Sequence, residues 1–340
     1  MKDAIGICVI GSGRAGLIHA GNFARNIKHA KLVAFVDPAK EQLALAKNEF
    51  GVNDLYSNYV DALGNDMIDA VVIATPTNFH REIAVAFANQ GKHILCEKPM
   101  AMDAAECEHM VQEAARNNVK LQIGFMRRYD KSFIAARQRI EAGEIGDVVL
   151  VKSLTHGPSI PKPWQYDIKK SNGPLAEVNS HDIDTLRWFT NSEFRQVYAI
   201  AGNYRCPEAK KDFPDFYDNV SLVASFENQM QGFIGGAVSV RYGYDARVEI
   251  LGTHGVIFIG SLLENTVISV GKDDGMKQSV VKSWRDLFIQ AYLEEDRSFI
   301  NCIMEDKQPV ATGHDGKMAV QVVNAGNTSI IEKRPVNLYE

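Results

Sequence analysis

Residues 5–16 read IGICVIGSGRAG. A short apolar run without a polar break gives way to glycines at 11, 13 and 16. Such a run suits a strand buried on both faces, as in a parallel sheet. The G-x-G-x-x-G spacing suits the turn from that strand into a helix. Its first glycine permits the turn, the second lets a pyrophosphate approach the backbone, and the third lets helix pack on strand. Amides at the helix start, with the dipole behind them, favour the phosphate charge.

The pattern continues outward from that turn. Apolar runs recur at 31–37, 69–75, 92–97 and 120–125, separated by helical periodicity at 15–27, 39–50, 79–90 and 104–118. Strand, helix and strand in alternation imply βαβ units and a doubly wound parallel sheet. Asp37 ends the second strand, about twenty residues past the last glycine, where a carboxylate holds the adenosine ribose hydroxyls and repels a 2′-phosphate. The expected cofactor is therefore NAD, cradled by Gly11, Ser12, Gly13, Arg14 and Ala15. ATPTNFH (74–80) ends another parallel strand, so Thr75, Pro76 and Asn78 are candidates to line the cofactor. Asn78 reads equally as a helix cap. His80 either approaches the nicotinamide or faces solvent.

After about residue 124 the alternation stops. A helix (130–143) and a strand (146–156) lead into a proline- and glycine-rich loop, 157–174, long enough to suggest function. A helix over 175–190 follows, then strands at 196–204, 219–227, 232–240, 247–253 and 256–260, the last two as a hairpin, and helices at 286–304 and 314–333. Adjacent strands without helices between them pair antiparallel. The fold class is α/β: an N-terminal Rossmann domain, 1–124, and a C-terminal α+β domain, 125–340, with a large, mostly antiparallel sheet for substrate binding and oligomerisation.

Composition narrows the partners. A net charge of -5 leaves no basic footprint for nucleic acid and no polybasic patch for a membrane surface. Five scattered cysteines without a C-x-x-C point to reduced thiols in the cytoplasm. The start of the sequence is too short and too glycine-interrupted for a secretory signal, and no run is long enough to span a bilayer. The histidines lack metal-ligand spacing, so no metal is expected.

HILCEKPMAM, 93–102, poses the chemical question. Its strand end places Glu97 and Lys98 at the cofactor edge, and Pro99 restricts Lys98 to extended backbone. A lysine aimed into that crevice exchanges a proton with, or donates to, a reacting oxygen; a lysine that snorkels to water is the ordinary alternative. Glu177 and His181, four apart on the expected helix, share a face with Asp184 near it. A carboxylate beside an imidazole raises its basicity and fixes its tautomer, the pairing that takes a proton from an alcohol as hydride leaves. An inert surface pair has the same spacing. The expectation is that Lys98 and His181 converge on one pocket beside the nicotinamide.

GSGRAG, FVDP, ATPTNFH, CEKPMA, GFMRRYDKSF, GEIGDV, SHDIDTLRW and RYGYDARVEILGTHG run in order through nearly the whole chain. In these the sequence resembles the Gfo/Idh/MocA oxidoreductases, glucose–fructose oxidoreductase and inositol dehydrogenase among them. The resemblance implies an NAD-dependent dehydrogenase that oxidises a ring secondary hydroxyl of a cyclic polyol or sugar to a ketone. It implies that Lys98 holds the reacting oxygen and assists proton transfer, and that His181 is the general base. Inositol dehydrogenases carry an aspartate where this chain has Glu177. Arg127 matches a position near cofactor and substrate, and Trp164 an aromatic residue that approaches the nicotinamide. Tyr244 matches a substrate-contacting tyrosine, with Tyr242 as the neighbouring alternative. The inositol-type HRN after the 146–156 strand is absent, and THG (155–157) stands near its place. The resemblance further implies dimers or tetramers built on an open sheet face, a tetramer being expected here. The rivals are a glycoside 3-dehydrogenase or other sugar oxidoreductase of the same family, and a nucleotide-sensing regulatory protein on the same fold.

Overall fold

The computed structural model describes residues 3–272 and 275–339. The chain forms two compact units: Met1–Tyr129 with Ile289–Val320, and Asp130–Phe288 with Gln321–Glu340. A single boundary after residue 124 therefore does not divide the chain, because residues 289–320 fold with the first unit. The cause is apolar: Phe299 and Ile300 complete the core around Ile7, Val9, Phe23 and Leu95.

In the first unit the elements are β1 (Ile5–Ile10), α1 (Arg14–Arg25), β2 (Ala30–Val36), α2 (Lys40–Phe50), β3 (Asp54–Tyr56), α3 (Tyr59–Ala62), β4 (Ala70–Ile73), α4 (His80–Ala88), β5 (His93–Glu97), α5 (Ala104–Arg116) and β6 (Leu121–Gly124). The sheet order is β3-β2-β1-β4-β5-β6, with every pairing parallel. β1 and β4 are buried along their whole length, which is why they read as unbroken apolar runs. Strand order reverses between β1 and β4, so the carboxyl ends there flank the crevice where open α/β sheets take ligands. Asp103 starts α5 by accepting the Glu106 amide at 2.8 Å, satisfying a donor that the helix itself leaves open.

The second unit begins with α6 (Lys131–Glu141) and β7 (Val148–His156). α7 (Ile168–Ser171) interrupts the expected loop, and α8 (Gly173–Glu177) and α9 (Ser180–Thr190) follow. Next come β8 (Phe194–Gly202), β9 (Asn219–Phe226), β10 (Gln231–Ala237), β11 (Asp245–Gly252), β12 (Val256–Ile259), β13 (Leu263–Gly271) and β14 (Gly275–Val280). α10 (Trp284–Met304) and α11 (Gly313–Glu332) each span a change of unit, and β15 (Val336–Asn337) closes the chain. The large sheet runs β12-β11-β7-β10-β9-β8-β15; only β7 and β10 pair parallel. α9 covers one face. The other carries exposed Tyr198, Ile200, Val223, Leu251 and Phe258.

β3, α3 and β15 lie where the sequence reading placed no element, and two further features depart from expectation. The single helix expected over 175–190 is two helices, broken at Val178 and Asn179. Asn179 is fully buried, and its side-chain amide turns to the Asp182 carboxylate at 2.7 Å. Gly236 lies so close that a Cβ there would come within 2.0 Å of Asn179 Oδ1. Tertiary contact, not local spacing, sets the break. β13 and β14 form a separate hairpin with nearly every residue exposed, so no burial pattern marks them. Among the described residues no helix is long and apolar enough to cross a membrane.

Candidate functional site

The glycine turn is built as its spacing demands. Gly11 has φ +93°, and a Cβ there would meet Ala74 O at 2.6 Å. A Cβ on Gly16 would strike Gly11 O at 1.9 Å, so helix and turn pack only with hydrogen there. A Cβ on Gly13 would meet no protein atom within 4 Å, and no side chain caps the first turn of α1. The turn thus offers a helix N-terminus with room for a phosphate group.

Asp37 accepts the main-chain N–H of Ser12 at 2.8 Å and its hydroxyl at 2.6 Å through Oδ2, and the Ala39 amide at 2.9 Å through Oδ1. Its carboxylate therefore stands against the glycine turn, where the ribose of a bound dinucleotide would lie. Past β4, Pro76 and Asn78 are exposed, and the Thr75 hydroxyl oxygen is buried with no hydrogen-bond partner among the described residues. That orphaned atom, the room at Gly13 and the Asp37 carboxylate fit an NAD site.

His80 does not fit the role expected of it. It is buried, with Nε2 2.8 Å from Thr75 O and Nδ1 2.9 Å from Pro99 O. Both ring nitrogens face main-chain carbonyls, leaving neither for a ligand. Burial lowers the basicity of the ring, although the two carbonyls pull the other way. His80 clamps the segment after β4 to the segment after β5.

β5 ends with Glu97 buried and Lys98 half-buried, before a cis Lys98–Pro99 bond. Glu97 faces inward: Oε1 lies 3.2 Å from His19 Nε2, and Oε2 accepts the Lys98 amide at 3.0 Å. Both of its oxygens are thus turned to protein groups. Burial would raise its pKa, but the hydrogen bond and charge of His19, and the charge of Lys98, hold it below the usual carboxylate range. Arg127 is buried in the 3-10 turn Met126–Tyr129, directly after β6. The glycine turn, Asp37, Thr75, Lys98 and Arg127 thus all stand at the carboxyl end of one parallel sheet.

In the second unit, Trp164 lies in the turn Pro163–Tyr166, half-buried. Its neighbour Gln165 accepts the Lys162 amide at 2.7 Å and donates to Glu177 Oε2 at 3.0 Å, tying the loop to α8. Glu177 ends α8 and His181 sits in the first turn of α9, so they do not share a face of one continuous helix as expected. His181 is 6% exposed. Asp184 is buried as well. Tyr244 is buried beside Gly157, whereas Tyr242 is exposed and pairs with His156.

Three residues that the sequence reading did not single out organise their own units. Asp182 is fully buried and accepts from Ser153, from Thr155 at 2.8 Å and from Asn179, fastening α9 to β7. Its position inside S-H-D-I-D was the available signal. His19 and Asp296 form a buried pair in the first unit, and nothing local in the sequence marks it. Among the described residues no cluster of three or more His, Cys, Asp or Glu is arranged to hold a metal ion.

Comparison with known proteins agrees with this architecture. Residues 5–125 match the family described as oxidoreductases with an NAD-binding Rossmann fold, and residues 133–258 match the C-terminal domain of the same family. The chain is 32% identical to a myo-inositol 2-dehydrogenase of Thermotoga maritima, over 98% of each chain. It is 30% identical to an NAD(+) scyllo-inositol 2-dehydrogenase of Bacillus subtilis, over 99% of this chain and 97% of that one. Among solved structures, scyllo-inositol dehydrogenase of Lactobacillus casei with bound NAD(H) and scyllo-inositol superposes with a TM-score of 0.90 at 30% identity, covering 99% of this chain and 100% of that one. The chain belongs to the Gfo/Idh/MocA family of oxidoreductases, and its first unit carries that family's NAD-binding Rossmann fold.

Proposed function

We propose that this protein is an NAD-dependent dehydrogenase that oxidises a ring secondary hydroxyl of an inositol to the ketone. The observation that carries the reading is the gathering of the glycine turn, Asp37, Thr75 and Lys98 at one sheet end. When bound, NAD supplies the hydride acceptor. The turn and Asp37 hold the pyrophosphate and the ribose. Lys98 donates to the hydroxyl oxygen, and His181 takes its proton. Glu177 orients the polar groups of α8 and α9, itself held by Gln165. Relatives named for myo- and scyllo-inositol support the substrate class.

The test is the initial rate of NAD reduction against a panel of inositols, aldoses and glycosides. Turnover of an inositol, lost in Lys98→Ala, is expected. Turnover of a glycoside alone moves the reading to a 3-dehydrogenase, and full activity in Lys98→Ala removes Lys98 from the chemistry.

The open sheet face, with Ile200, Val223 and Phe258 exposed, supports burial against a second copy. Sedimentation should give a tetramer. The five cysteines are free and buried, as suits a reducing compartment, and we place the protein in the cytoplasm.

A further inference from the structure

We propose that His19 is a positioning residue for Lys98, acting through Glu97 and held in turn by Asp296. The inference deepens the reading above and rests on its assignment of Lys98 to the reacting oxygen.

Five groups, joined by four contacts, form one line inside the first unit. Asn22 Nδ2 donates to Asp296 Oδ2 at 2.8 Å, and Asp296 Oδ1 lies 2.6 Å from His19 Nδ1. His19 Nε2 reaches Glu97 Oε1 at 3.2 Å, and Glu97 Oε2 accepts the main-chain N–H of Lys98 at 3.0 Å. His19 and Asp296 are fully buried. Gly124, beside Glu97 across the β5–β6 ladder, leaves the carboxylate its place: a Cβ there would come within 3.0 Å of Glu97 Oε2. Tyr292 closes one side, its ring edge-on to His19 at 5.4 Å.

The line favours one protonation pattern. Burial holds the Asp296 carboxyl above its usual range, while the charge and hydrogen bonds of His19 and the Asn22 amide pull it back down; with both carboxyls ionised they accept only, so both ring nitrogens donate and the ring is the imidazolium. Burial opposes that charge, but Asp296 and Glu97 together override it and raise the pKa well above the usual imidazole value. Signs then alternate from Asp296 to His19 to Glu97 to Lys98. Buried ions of this kind are costly to desolvate, and apolar packing would serve stability at least as well. What apolar packing cannot do is hold a carboxylate in one orientation. Glu97 spends that orientation on the amide of the residue that bears the reacting ammonium. A strand end pinned from beneath sets where the Lys98 side chain starts.

The experiment uses the NAD-loaded enzyme with its lysines reductively ¹³C-methylated, the Lys98 signal being assigned by its loss in Lys98→Arg. Asp296→Asn should shift and broaden that signal. It should also lower turnover of the preferred polyol by roughly 10–100-fold, the scale set by slight misplacement of a reacting group, without changing NAD affinity. In a Lys98→Met background the same substitution should cost no further turnover. Asn22→Ser keeps every charge and loosens only Asp296, so it should give the same signature in milder form if Asp296→Asn fails to fold. An unmoved Lys98 signal in a folded variant, or an equal loss of turnover with and without Lys98, overturns the proposal. An unmodified enzyme that oxidises no polyol overturns the assigned reaction instead, and leaves the Lys98 signal to decide this one.

Discussion

Asp37 and Ser12 are joined twice, the carboxylate accepting both the amide and the hydroxyl of the serine. One carboxylate therefore shapes the glycine turn, and on the proposed reading it also stands against a 2′-phosphate. Each hydrogen bond to a charged group is worth about 1.5–3 kcal/mol. Asp37→Ser should weaken NAD binding by roughly 10–100-fold and raise the NADP preference, as kcat/KM with each coenzyme will show. Unchanged discrimination would assign coenzyme choice to another residue.

Lys98 and His181 should prove indispensable to turnover and dispensable to coenzyme binding. Lys98→Met and His181→Gln are each expected to depress kcat by roughly 10²–10⁴-fold, the range for positioned acid–base groups. Fluorescence titration should give an unaltered Kd for NADH. A loss seen in Kd instead would make either residue a binding group only.

Glu177 should matter less than His181. It ends one helix, His181 begins the next, and Gln165 holds one of its oxygens. Glu177→Gln is expected to lower kcat by about 10-fold, less than the roughly 10²–10⁴-fold of a group that itself moves the proton. A drop equal to that of His181→Gln would put Glu177 on the reacting atoms.

Asp182 is expected to be structural although it adjoins His181. Asp182→Ala strips the acceptor from Ser153, Thr155 and Asn179 inside a closed core. Lost charged hydrogen bonds and stranded donors together cost about 3–5 kcal/mol. Urea titration should show the midpoint falling, and whatever enzyme remains folded should retain its kcat.

Stability should decline on the alkaline side through His19. Its folded pKa is raised, so its contribution is complete below the unfolded value of about 6.5 and is lost as pH climbs through the folded value. Glu97, held low, contributes above about 4.5 and loses that contribution as pH falls through its folded value. The urea midpoint should therefore hold across the mildly acidic to neutral range and fall beyond it. In His19→Gln the alkaline decline should flatten; an unchanged decline would trace it to other groups.

The first sheet was legible because its strands are buried on both faces and its turn requires glycine at Gly11 and Gly16. The positions of Asp37 and Lys98 at strand ends were legible for the same reason, and their roles there are left to the experiments above. The break before His181 was not, since 175–190 keeps helical spacing throughout and only the packing of Asn179 against Gly236 interrupts it. His80 and Glu97 were correctly placed in the chain but assigned outward, because spacing does not tell a ring aimed at a ligand from one aimed at a carbonyl. His19 gave no sign: its carboxylate lies 277 positions away.

That separation bears on how the molecule is made. During synthesis the glycine turn and all six parallel strands leave the ribosome long before Asp296 does. Until then His19 lacks the nearer of its two carboxylates and the core lacks Phe299 and Ile300. The nucleotide half of the enzyme is thus begun first but completed only after most of the second unit has been made, and a nascent chain stopped at residue 288 should bind coenzyme poorly and attract chaperones.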